Sequence, residues 1–160
     1  MTSTVKPIPD GYPTATPYLT IRNAASAIDF YKQAFGATET MRMTAPDGKV
    51  GHAEIKIGNS PIMLSDEYPD MGARSPDSIG GSPVMIHLYV EDVDALVNQA
   101  IAAGATLLAP VADQFYGDRS GKLADPFGHV WWIATHKEDV APDELRERAE
   151  ALFGGSPGTP

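Results

Sequence analysis

The strongest constraint on this chain is that it repeats itself. Two segments carry apolar residues at helical spacing: Ala27, Ile28, Tyr31 and Phe35 after a capping Asn23, and Val93, Leu96, Val97, Ala100 and Ile101 after Asp92. Each follows a short apolar strand, Tyr18 to Ile21 and Met85 to Val90. Each also runs into the same tripeptide, Gly36-Ala37-Thr38 and Gly104-Ala105-Thr106. Such self-similarity restricts the chain to two copies of one structural unit.

The rest of each unit is strand-like. In the first, Thr38 to Thr44 and Gly51 to Ile57 flank the hairpin signal Asp47-Gly48, and Gly58-Asn59 turns into Ile62 to Ser65. In the second, Thr106 to Val111, Lys122 to Ala124 and Val130 to Thr135 follow the helix, with turns expected at Ser120-Gly121 and at Asp125-Pro126-Phe127-Gly128. The order is strand, helix and three strands, so a βαβββ module is expected over residues 14–66 and again over 83–137, an α+β architecture. Residues 67–82, rich in Pro and Gly, read as an exposed linker, and the polar, Pro-rich residues 1–13 as a flexible tail. Pro142 opens a short amphipathic helix with Leu145, Ala149 and Leu152 on one side, assigned to 138–153, and 154–160 reads as a disordered tail.

Charge and composition narrow the partners. Twelve Lys and Arg against 21 Asp and Glu leave a net charge of -9, which repels a nucleic-acid backbone and anionic membrane. With no cysteine, disulfides, thiolate nucleophiles and cysteine-held metals are excluded. The longest apolar stretches are strand-sized, far short of the roughly 20 residues of a membrane span. A cytoplasmic protein with one folded core is expected.

The paired βαβββ modules, with Ala27-Ile28-Asp29-Phe30-Tyr31, Phe35-Gly36-Ala37 and Asp125-Pro126-Phe127-Gly128-His129, resemble the vicinal oxygen chelate superfamily of glyoxalase I, bleomycin-resistance proteins and extradiol dioxygenases. The segments His52-Ala53-Glu54, Met63-Leu64-Ser65-Asp66, Val90-Glu91-Asp92-Val93-Asp94 and Gly117-Asp118-Arg119 look like its phosphonate-operon-B-like branch. The resemblance spans about residues 14–137 and implies modules that curl into half-open mixed sheets, a small organic ligand in the concave groove, and a homodimer. It also implies ligand positions for a divalent metal, which fall here on Thr16, Met63 or a neighbour, Met85 and Trp132. None of these supplies the imidazole or carboxylate donors such a metal needs, so neither a metal at the usual site nor another cofactor is expected.

Strand alternation identifies what the groove offers instead. With Ile86, Leu88 and Val90 turned to the core, Met85, His87 and Tyr89 face the groove, as do Thr16, Tyr18 and Thr20. Likewise His52, Glu54 and Lys56 oppose the apolar set Ala53, Ile55 and Ile57. Trp132 falls on the groove side and Trp131 on the helix side. Tyr18, Met85, Tyr89 and Trp132, together with Phe115, Tyr116 and Arg119 of an expected loop, are the candidate ligand-binding residues. His52, Glu54 and His87 are candidate catalytic residues, as an acid/base pair with an orienting carboxylate or as a displaced metal site of a glyoxalase-like lyase or isomerase. A non-catalytic binding protein is the leading expectation.

Overall fold

The computed structural model describes residues 4–154 of the chain. Both expected modules are present. The first consists of β1 (Tyr18–Ile21), α1 (Ala24–Phe35), β2 (Thr38–Thr44), β3 (Val50–Ile57) and β4 (Ser60–Asp66). A connector holds a 3-10 turn (Pro69–Met71) and the single helical turn α2 (Pro76–Ile79). The second module follows as β5 (Met85–Tyr89), α3 (Val93–Ala103), β6 (Thr106–Asp113), β7 (Asp118–Ala124) and β8 (Val130–His136), and α4 (Pro142–Phe153) ends the described chain.

The two sheets share one topology. Their orders are β1-β4-β3-β2 and β5-β8-β7-β6, with β1 parallel to β4, β5 parallel to β8, and the other neighbours antiparallel. Each is an open four-stranded sheet with a helix on one face. Asn23 starts α1 in a left-handed conformation that asparagine tolerates, and its side chain accepts from Ser26 N–H. Asp92 caps α3 in the same manner by accepting from Ala95 N–H.

Helices and helix-facing strand residues form one continuous core across both modules. Within it, Trp131 of β8 is fully buried, its ring 4.7 Å from that of Phe35 and 5.3 Å from that of Tyr31, both on α1 of the other module. Alongside, Gln99 of α3 donates to the backbone carbonyls of Gln33 and Ala34, joining the helices. His129 Nε2 lies 3.1 Å from the Thr20 carbonyl, linking the second module to β1.

Three segments depart from expectation. Ser120-Gly121 is not a turn but the middle of β7, paired with Ala134 and Ile133; the turn falls earlier, where Gly117 N–H bonds to the Gln114 carbonyl. Gly121 is there for close packing, since a Cβ on it would lie 2.9 Å from Val111 Cγ2. The connector is largely exposed but also tied down: Glu67 accepts from Ser75 N–H, Ser78 Oγ and Arg22 Nε, and Ser75 and Pro76 are buried. Of the expected tails, Tyr12 in the first makes a specific contact described below, and residues 155–160 of the second lie outside the described residues.

Candidate functional site

The faces turned away from the helices carry the candidate groups. In the first sheet the register aligns Tyr18 with Met63, Met63 with Glu54 and Glu54 with Met41, so one row crosses all four strands. His52 lies one row along, opposite Met43. In the second sheet the corresponding rows are His87, Trp132 and Lys122, and Tyr89, Ala134 and Ser120. Exposed apolar side chains on these faces include Tyr18 at 49%, Met85 at 50% and Tyr89 at 65% exposure.

Three side chains of the first sheet and Tyr12 of the N-terminal segment form an unbroken hydrogen-bonded chain. Tyr12 Oη donates to Glu54 Oε2, Glu54 Oε1 lies 3.0 Å from His52 Nε2, and His52 Nδ1 lies 2.9 Å from Tyr18 Oη. The Tyr12 hydroxyl and then the His52 imidazole hold the Glu54 carboxyl below its usual range, against the opposing effect of burial. The same carboxylate, through that hydrogen bond, raises the Tyr12 phenol.

The second sheet has a counterpart built on a carboxylate. Tyr89 Oη donates to buried Asp118 Oδ2 at 2.8 Å, and His136 Nδ1 lies 2.7 Å from Asp118 Oδ1. In each sheet, therefore, a tyrosine of the first strand reaches across the neighbouring strand to a polar group on the third of its module. Hydrogen bonding to Asp118 raises the Tyr89 phenol, and Asp139 followed by Asp118 raises His136.

The candidate catalytic residues separate into two groups. His52 and Glu54 are paired, whereas His87 packs against Tyr89, with ring centroids 4.7 Å apart and the planes tilted by 49°, and borders a cleft beside the Gly58–Ser60 turn. Among the described residues no three His, Asp or Glu side chains stand where they could hold one metal ion. Arg119 is not in a loop: it lies on β7 and pairs with Asp94 of α3 and with Asp113. Alternation puts it on the opposite face from its neighbour Asp118, so the two do not pair. Phe115 and Tyr116 lie in the β6–β7 turn in edge contact at 5.3 Å, and Phe115 also packs on Phe153 of α4.

Sequence reasoning missed Tyr12, whose partner is 42 residues away and leaves no local signal. Met41 and Met43 were legible as an alternating pair around Arg42, but a register shift between Glu39 and Met41 obscured their phase.

Two open βαβββ sheets with polar side chains on their free faces define the class of protein. The chain belongs to the Glyoxalase/Bleomycin resistance protein/Dioxygenase superfamily, whose model matches residues 14–133. An uncharacterized protein of Mycobacterium tuberculosis is 47% identical over 137 residues, covering 84% of this chain and 81% of the relative. An uncharacterized Arabidopsis thaliana protein is 31% identical, covering 79% of each. Among solved structures, an Arabidopsis thaliana gene product at 28% identity superposes with a TM-score of 0.63 over 77% of this chain and 98% of its own. TioX from a Micromonospora, at 23% identity and a TM-score of 0.61 over 81% of this chain and 100% of its own, shares the fold.

Proposed function

We propose that this protein binds a small, flat organic molecule in the groove formed by the helix-free faces of its sheets, as a homodimer. The observation that carries this is the exposure of Tyr18, Met85 and Tyr89, each about half exposed or more, on the faces that the helices leave uncovered. Aromatic and thioether side chains offer stacking surface and adapt to a ligand's outline. Trp132 stands on the helix-free face of the second sheet, in the row of His87 and Lys122. Tyr18 also borders a cleft of about 250 Å³ between β1, the connector and β5, walled by Pro17, Ile79, Val84 and Ile86.

Dimerisation follows from the same surface, because a pair of open sheets with apolar faces is covered most economically by a second copy. A cytoplasmic setting belongs to this reading, since nothing in a fold without cysteine depends on oxidising surroundings. Sedimentation should give a species of twice the 17.0 kDa chain mass. A panel of planar aromatic compounds should shift or quench tryptophan emission, and Trp132→Ala should weaken that binding by about 1 to 3 kcal/mol, as for other lost stacking contacts. A 17 kDa monomer overturns the dimer, and unmoved emission across the panel overturns the binding function.

A further inference from the structure

The Glu54 carboxylate sets the direction of each hydrogen bond between itself and Tyr18. Held in its ionised form by Tyr12 and His52, it only accepts, so His52 must offer it Nε2–H. In a neutral imidazole this leaves a lone pair on Nδ1, and the Tyr18 hydroxyl 2.9 Å away donates to it. Tyr18 Oη then shows only lone pairs to the groove. If His52 is protonated, Nδ1–H donates to Tyr18 Oη instead, and the tyrosine turns its own O–H outward. The polarity that Tyr18 presents is therefore set by the charge on His52.

A ligand meets Tyr18, at 49% exposure, before it meets His52, whose side chain is 20% exposed. Resting on the small-molecule reading above, the geometry points to Tyr18, His52 and Glu54 as a proton relay that takes acidic phenols, aromatic hydroxyl compounds that titrate near imidazole, as their anions. The ligand's O–H bond breaks and its proton passes to Tyr18 Oη, while the proton already on Tyr18 passes to His52 Nδ1. One proton has moved, the ligand carries a negative charge, and the imidazolium rests on Glu54. Tyr18 now donates to the phenolate oxygen.

The class follows from acidity and shape. An aliphatic alcohol is too weak an acid to yield its proton to imidazole, and a carboxylic acid arrives ionised, so only a hydroxyl titrating near imidazole uses the relay. Met63 beside Tyr18 and Met41 beside Glu54 give the row thioethers that accept an aromatic ring. The titratable groups facing His52 are Glu54 on its own strand, Tyr18 from β1 and Tyr12 from the N-terminal segment. Met43 of β2, its cross-strand neighbour, carries no charge, and Lys56 stands two residues beyond Glu54.

The test uses the full chain with 4-nitrophenol and its methyl ether, 4-nitroanisole, in equilibrium dialysis, with the absorbance of the bound compound recorded across pH. Near neutrality the phenol should bind about tenfold or more tightly than the ether, as the coloured phenolate, the margin expected of hydrogen bonds to a charged group. This preference should fall away in acid, where the ligand keeps its proton, and in alkali, where it arrives already ionised with no proton to hand on. Tyr18→Phe and His52→Gln should bind the two compounds alike and leave the bound phenol no more ionised than the free phenol in the same buffer, with thermal melts confirming the fold. Equal binding of phenol and ether to the unaltered protein overturns the relay and leaves the small-molecule reading standing. An excess of bound phenolate that survives Tyr18→Phe also overturns it, by assigning the ionisation to another cation such as Lys56. Binding of neither compound overturns the phenol assignment, while the tryptophan-emission panel judges the broader reading separately.

Discussion

Tyr31 of the first module donates its hydroxyl to Asp125 of the second at 2.6 Å, inside the core that the modules share. Asp125 also accepts from Trp131 Nε1 and from the backbone N–H groups of Phe127 and His129, so one carboxylate ties a helix, a strand and a turn. Burial foremost, and then Asp125, raise the Tyr31 phenol well above its usual range and keep it a donor.

This junction predicts an order of stabilities. Tyr31→Phe removes one donor from a carboxylate that keeps three and should cost about 1.5 to 3 kcal/mol, the range for a hydrogen bond to a charged group. Asp125→Ala strands the buried Tyr31 and Trp131 donors together and should cost more. Urea denaturation of the two variants decides the order, and equal midpoints would mean that the carboxylate does not organise the junction.

Trp131 and Trp132 are neighbours with opposite fates. Trp131→Ala empties a site packed against Tyr31 and Phe35 and should destabilise by about 3 to 5 kcal/mol. Trp132→Ala, on the helix-free face, should melt distinctly higher than Trp131→Ala. The reverse order in thermal melts would invalidate the assignment of faces along β8.

Acid should loosen the connector. The Ser78 hydroxyl first, then Ser75 through backbone and side chain, and Arg22 hold Glu67 down to about 2. Its unfolded value is about 4.3. A carboxylate lowered in the native state contributes stability that is complete above the unfolded value and is lost as pH falls toward the folded one, so the loss should run from about 4.5 down to 2. Glu67→Gln should flatten that limb of a stability profile. His136 behaves oppositely: raised by Asp139 and Asp118, it contributes stability below its unfolded value of about 6.5 that is lost as pH rises through the higher folded one. His136→Gln should remove this alkaline decline.

Elemental analysis of protein purified without chelator should find no stoichiometric zinc, nickel or iron. Thr16, Met85 and Trp132 at the family's ligand positions lack the donors these ions require. About one tightly held ion per chain would refute this and direct attention to His52 and Glu54.

Much of the fold was legible because its signals are local. Repeated helical periodicity, the shared Gly-Ala-Thr endings and the Asp47-Gly48 turn depend on residues close in sequence, and α1 and β2 take the boundaries expected for them. Alternation placed His52, Glu54, Tyr18, His87 and Trp132 on their faces, because a strand's period of two is fixed by backbone geometry. Ser120-Gly121 misled because a glycine needed for packing against Val111 has the same composition as a turn.

What only the tertiary structure decided is which of those side chains meet. The sequence by itself determined two modules and the faces of their strands; it had no means of knowing that Tyr12 folds back onto Glu54 or that His87 packs on Tyr89 apart from His52. Contacts across 42 residues, or between modules as in Tyr31 with Asp125, depend on how the sheets and helices pack once formed. No local preference encodes that packing, because it is set by the shape of a core to which both repeats contribute.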